Sequence, residues 1–224
     1  MRRTVSLFAM EKPKYLICEQ QYSVPDYLIS YGLALGKVRE VRKNIKKIIA
    51  DIDENITKPS GNHLSVEKEK IVLKTLTDKY PYWDALSISK PLVILNINNS
   101  HKLYNSICGV NDDATSFVIY MFNMKDNSTA PEYVFLHELG HALQVALTGS
   151  DLLVPDEFIA FNKLLNKSFE LTQGSYELAE VFADTFAISI MHDTDLSEFD
   201  PFDFPKKLNN AFAEFFTELF DTYK

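Results

Sequence analysis

The sequence predicts an α+β chain with its strands in the first half and its helices gathered in the second. Two observations carry that reading. PLVILNIN from Pro91 and SFVIYMF from Ser116 are rich in β-branched and aromatic residues and bounded by turn signals, GVNDDA before the second and KDNS after it. From Thr129 onward the apolar spacing becomes helical and stays so, broken at 149–150, at 173–175 and across the proline-bearing EFDPFDFP at 198–205.

The remaining elements follow in chain order. TVSLF and KYLICE have the composition of short strands, and a helix is expected over 25–55 with a break near Gly36. KPSGNH at 58–63 is a turn cluster. It separates an N-terminal segment, 1–60, to which no role is assigned, from a body at 61–224, unless 1–224 is one continuous domain. Ser65 is placed to cap a helix that runs through Lys79 and ends at the PYW of 81–83.

Composition excludes several function classes. The 224 residues are 46% apolar, enough to bury one substantial core. No apolar run approaches the roughly 20 residues that span a bilayer, so no membrane insertion is expected. The N-terminal MRRTVSLFAM is too short in its apolar part for a secretory signal, which points to a cytoplasmic protein or one released without a recognisable signal peptide. A net charge of -8 argues against a nucleic-acid partner, and the one basic run, VREVRKNIKKII, has the spacing of a solvated helix face. Cys18 and Cys108 form one pair at most, resemble neither a zinc knuckle nor a redox motif, and read as apolar filler.

FLHELGHALQ at 135–144 carries the chemistry. Thr129, Pro131 and Glu132 make an N-terminal signature, a capping threonine with glutamate three residues on and proline in the first turn, so the following helix is well specified. On it His137 and His141 sit about 40° apart around the axis, with Glu138 beside them and Leu139 opposite. Two imidazoles one turn apart can hold a single Zn²⁺, and the adjacent carboxylate can act on a water without occupying a ligand position. Gly140, beside the same face, costs roughly 1 kcal/mol of helix propensity, which makes sense where another backbone must come close.

A third ligand is offered by SYELAEVFADTFA at 175–187. Glu180 and Asp184 lie one turn apart among Leu178, Val181 and Phe182, so the two carboxylates project from one face of an otherwise apolar helix. His137, His141 and Glu180, with a position left for water, form the ligand set of catalytic rather than structural zinc. Asp184 is then placed to accept the free ring N–H of a ligating histidine, and Ala183 leaves room for the approach at Gly140. His192 reads as a residue near a helix C-terminus, and His63 and His101 receive no role.

HELGHALQ followed by EVFADTFAISIMHDTD resembles the catalytic region of the anthrax lethal factor type of metalloprotease, and of the similar Pro-Pro endopeptidases, within the gluzincins. The resemblance covers about 135–195. It implies a zincin-like fold with a small sheet for the body of the chain, and a zinc endopeptidase with His137, His141 and Glu180 as ligands and Glu138 as general base. The family's second glutamate is here Asp184. Its transition-state tyrosine, seven residues before the ligand glutamate, falls on Gln173, which leaves Tyr176 as the nearest replacement. The expected partner is a protein or peptide substrate; SFVIYMF reads either as an exposed edge strand before the metal helix, where a substrate could add as a strand along 116–122, or as an ordinary internal strand. The alternative is a catalytically inert interaction module that keeps the fold.

Overall fold

The structure, a computed structural model, describes residues 64–81, 83, 130–150, 152–169, 178–202 and 204–222, together with the strand segments 6–7, 15–17, 56–57, 92–97, 100–101, 106–110 and 117–122. The chain divides into two compact units, 1–69 with 90–131 and 70–89 with 132–224. The helix expected over 25–55 lies outside the described residues.

The first unit holds the strands β1 (Ser6–Leu7), β2 (Tyr15–Ile17), β3 (Ile56–Thr57), β4 (Leu92–Ile97), β5 (Ser100–His101), β6 (Ser106–Val110) and β7 (Phe117–Phe122). Five of them make a mixed sheet in the order β1-β2-β4-β7-β6, and β3 pairs with β5. β2, β4 and β7 run parallel, with Tyr15 opposite Leu92 and Leu92 opposite Phe117, while β1 and β6 are antiparallel to their neighbours. The register keeps Ile94 opposite Ile119, and both are buried.

This topology corrects one expectation. The strand within 116–122, expected at an edge, is paired along its whole length with β4 on one side, and with β6 on the other from Phe117 to Met121. Its backbone N–H and C=O groups are taken up by the two ladders, so no extended substrate can add along it. β6, which covers it, has a weak signature: SICGV is five residues with a glycine inside, and its last two residues belong to the GVNDDA stretch that reads as a turn.

The second unit is helical, and we number the helices from that of 66–79, most of which belongs to it. α1 (Val66–Lys79) starts where Ser65 caps it, Oγ accepting from the Lys68 N–H at 3.3 Å. Pro81 follows within two residues of its end, where a residue without an N–H cannot continue the ladder. α2 (Pro131–Thr148), α3 (Asp156–Phe169), α4 (Leu178–Met191) and α5 (Lys206–Asp221) complete the unit, with a short 3₁₀ turn at Ser197–Phe199.

α4 is the centre of this unit, for a reason written in LAEVFADTFAISIM. The helix is apolar almost all round and therefore belongs inside, with Glu180 and Asp184 its two charged residues. Phe182 meets Phe158 of α3 edge-on at 4.9 Å and Phe216 of α5 at 5.4 Å. Phe186 packs on Phe216 at 5.1 Å and stacks on Trp83 at 5.6 Å. The Tyr80 hydroxyl, buried beyond α1, lies 3.0 Å from Ser189 Oγ, which keeps both polar groups bonded inside the core. Burial, offset by that bond, pushes the Tyr80 phenol well above its ordinary pKa. Aromatic packing of this extent holds α4 rigidly, and with it the two carboxylates it carries.

Candidate metal centre

α2 presents a stripe of four functional side chains. At 100° per residue, Tyr133, Gln144, His137 and His141 fall within about 80° of one another around the axis, with Glu138 some 60° beyond His141. The opposite side carries Phe135, Leu139 and Ala142, all buried. At Gly140 the helix meets α4: a Cβ there would lie 2.8 Å from Ala183 Cα, 3.1 Å from its carbonyl oxygen and 3.2 Å from its Cβ. The glycine therefore sets how closely the histidine helix and the carboxylate helix approach.

That approach brings His137, His141 and Glu180 together. Their ligand atoms all lie within 4.8 Å of one another. The two Nε2 atoms are 3.1 Å apart, His137 Nε2 is 3.2 Å from Glu180 Oε2, and His141 Nε2 is 3.5 Å from Glu180 Oε1. A tetrahedral ion with bonds of about 2.0–2.1 Å separates its ligand atoms by roughly 3.3 Å, close to the spacing of the two Nε2 atoms and of each from its nearer Glu180 oxygen. The Glu180 side chain is 43% exposed, against 17% and 20% for the histidines, which leaves the cluster reachable from solvent on the glutamate's side.

Behind the donors stands a layer of supporting groups. His137 Nδ1 lies 2.7 Å from Asp184 Oδ1, and the Tyr133 hydroxyl donates to the same oxygen. His141 Nδ1 lies 3.2 Å from Gln144 Oε1, and Gln144 Nε2 donates to the Leu153 carbonyl at 2.8 Å. Asp184 was legible as a support for histidine from its one-turn spacing to Glu180. Tyr133 and Gln144 were missed. Their signal was present, at four residues before His137 and three after His141, but each gains its meaning only from a partner on another element or turn. Glu138 is 6% exposed and near enough for its charge to act on His137. Tyr176 and Gln173 lie outside the described residues.

The electrostatics of the metal-free centre favour a proton where an ion would sit. Burial alone would push the His137 imidazolium toward losing its proton. Hydrogen bonds to Asp184 and Glu180, with the charges of Glu138 and Asp184, outweigh that and hold its pKa up at about 10. Glu180 is held below the ordinary carboxylate range by its hydrogen bond to His137, against partial burial. At neutral pH the ring of His137 therefore donates from Nδ1 to Asp184 and from Nε2 to Glu180. An ion can bind Nε2 only when that proton leaves. Zinc uptake at pH 7 should release about one proton, and apparent affinity should rise about tenfold per pH unit while the pH stays below the His137 pKa. Titration calorimetry in buffers of different protonation enthalpy reads the proton count, and a count of zero would show that His137 does not hold that proton at pH 7.

No family model, curated protein or solved structure matches the chain.

Proposed function

We propose that the chain is a zinc-dependent endopeptidase of the zincin type, with His137, His141 and Glu180 as ligands and Glu138 as the general base. The observation that carries this reading is the convergence of two imidazole nitrogens and one carboxylate from two helices, within 4.8 Å and open to solvent, with a further carboxylate one residue from the first histidine. Three protein ligands with an accessible remaining position belong to catalytic sites, whereas structural zinc is closed by four.

Zinc bound there would supply Lewis acidity toward a peptide carbonyl and toward water. The chain's own groups do the rest. Glu138 takes a proton from the attacking water as the oxygen bonds to the carbonyl carbon, then delivers it to the amine nitrogen as the C–N bond breaks. Asp184, itself held by Tyr133, orients His137 through its Nδ1–H and raises its basicity as a ligand.

The purified protein should hold close to one zinc per chain, and Glu180→Ala should lose most of it, because two histidines alone grip the ion poorly. Zinc-loaded protein incubated with a diverse peptide library, with products read by mass spectrometry, should give internal cleavages that disappear on chelation and return with zinc. Stoichiometric zinc without any cleavage would instead make the chain an inert module that kept its metal.

A further inference from the structure

The two histidines of the centre are supported by different chemistry, and the neutral arm leads further than the charged one. Asp184 backs His137 with a carboxylate, which can only accept and so calls for a hydrogen on Nδ1. His141 is backed by an amide, which has a donor end and an acceptor end, so its orientation decides what the ring must do.

That orientation is set from outside the centre. Gln144 is fully buried, and its other terminal atom faces the backbone carbonyl of Leu153 at 2.8 Å. A carbonyl oxygen can only accept, so the Gln144 group facing it is the NH₂ and the group facing His141 is the carbonyl oxygen. An amide oxygen likewise only accepts, which requires a hydrogen on His141 Nδ1 at 3.2 Å. In the neutral ring one nitrogen carries the proton and the other a lone pair. The lone pair of His141 is thereby directed to Nε2, the atom 3.1 Å from His137 Nε2 and 3.5 Å from Glu180 Oε1.

We propose that Gln144 is a positioning residue that fixes the Nδ1–H tautomer of His141 and ties the metal centre to the turn after α2 through the Leu153 carbonyl. That turn is itself built for the purpose. Gly149 leaves the helix at φ 73°, its N–H closing on the Val145 carbonyl at 2.8 Å, and the Ser150 N–H donates to Thr148 Oγ1 at 3.1 Å. The chain then comes back to set Leu153 against the Gln144 amide. Whenever the ring is neutral, this arrangement puts its lone pair on the metal side, where a ligand needs it. The two arms also divide the work: the carboxylate arm raises ligand basicity, and the amide arm sets direction without adding charge.

The fixing of the tautomer stands on the metal-free geometry, while its consequence for metal rests on the zinc reading above, and two measurements separate them. The first is a long-range ¹H–¹⁵N correlation spectrum of metal-free protein at alkaline pH, where His141 should show the Nδ1–H tautomer. In Gln144→Met, which keeps the volume and removes both polar ends, the proton should shift toward Nε2. An Nε2–H ring in the parent, or an unchanged tautomer in Gln144→Met, would overturn the proposal. The second is zinc affinity by chelator competition with the Co²⁺ absorption spectrum as a check on ligand geometry. Gln144→Met should bind zinc roughly 10–100-fold more weakly and shift the Co²⁺ bands, as loss of a group behind a ligand does. Parental affinity and spectrum in a folded Gln144→Met would overturn the positioning role. The expected tautomer in a parent that takes up neither metal would leave Gln144's role intact and sink the zinc reading alone.

Discussion

Glu138→Gln is expected to keep its zinc and its fold and to lose roughly 10²–10⁴ of kcat/KM, the usual worth of a positioned proton acceptor. The amide has the size and nearly the shape of the carboxylate, so the packing around this 6%-exposed side chain survives. What it lacks is the capacity to take a proton from water. Metal affinity should change little, by a balance that the electrostatics of the centre allow. The Glu138 charge favours a proton on His137 and would favour a cation between the histidines as well. Because proton and ion compete for the same place, removing that field weakens both, and the ratio between them moves less than either. Steady-state cleavage of a peptide found in the library, alongside metal content, separates the outcomes. A variant that cleaves at the parental rate would remove Glu138 from the mechanism, and one that loses zinc would make it a structural or ligand residue instead.

How far the sequence could be read depended on whether a feature is local. Ser65 as a cap needs only its own turn, and the Ser65 Oγ bond to the Lys68 N–H lies within four residues. The shared face of His137 and His141 is likewise a consequence of helical period, and so is the pairing of Glu180 with Asp184. Gly140 could be singled out because a glycine inside a strong helix pattern asks for a reason, and the Ala183 backbone supplies it. The sheet is the opposite case. β7 reads as a strand from FVIYMF alone, but which strands flank it depends on pairings with Leu92–Ile97 and Ser106–Val110, and no local rule contains those. Gln144 fails for the same reason at the scale of one side chain, since three residues after His141 it is an ordinary polar residue until the chain returns with the Leu153 carbonyl. Tyr133 waits in the same way on Asp184, 51 residues later.

Gly140→Leu should dismantle the centre without touching a ligand. Leucine is a good helix former, so the replacement gains nearly 1 kcal/mol of propensity over glycine, and any loss must come from packing. The first added atom already meets Ala183 Cα at 2.8 Å and its carbonyl oxygen at 3.1 Å. Both are backbone, so no rotamer change relieves the clash, and α2 and α4 must move apart. Overpacking of this kind costs about 1–3 kcal/mol in stability, which outweighs the propensity gain at the upper end. The effect on metal should be larger, because the same displacement carries Glu180 on α4 away from both histidines on α2. Workable ligand distances tolerate only about 0.2 Å, and a shift of an ångström takes the carboxylate out of range. Zinc retention should fall to that of a two-histidine site while circular dichroism still reports a folded helical protein. Gly140→Ala should show the same direction to a smaller degree. Adding Ala183→Gly to it removes only the 3.2 Å contact and leaves the two backbone contacts, so rescue should be partial. If Gly140→Leu binds zinc as tightly as the parent and melts no lower, the helices do not cross where the structure brings them together, and the three-ligand cluster falls with that crossing.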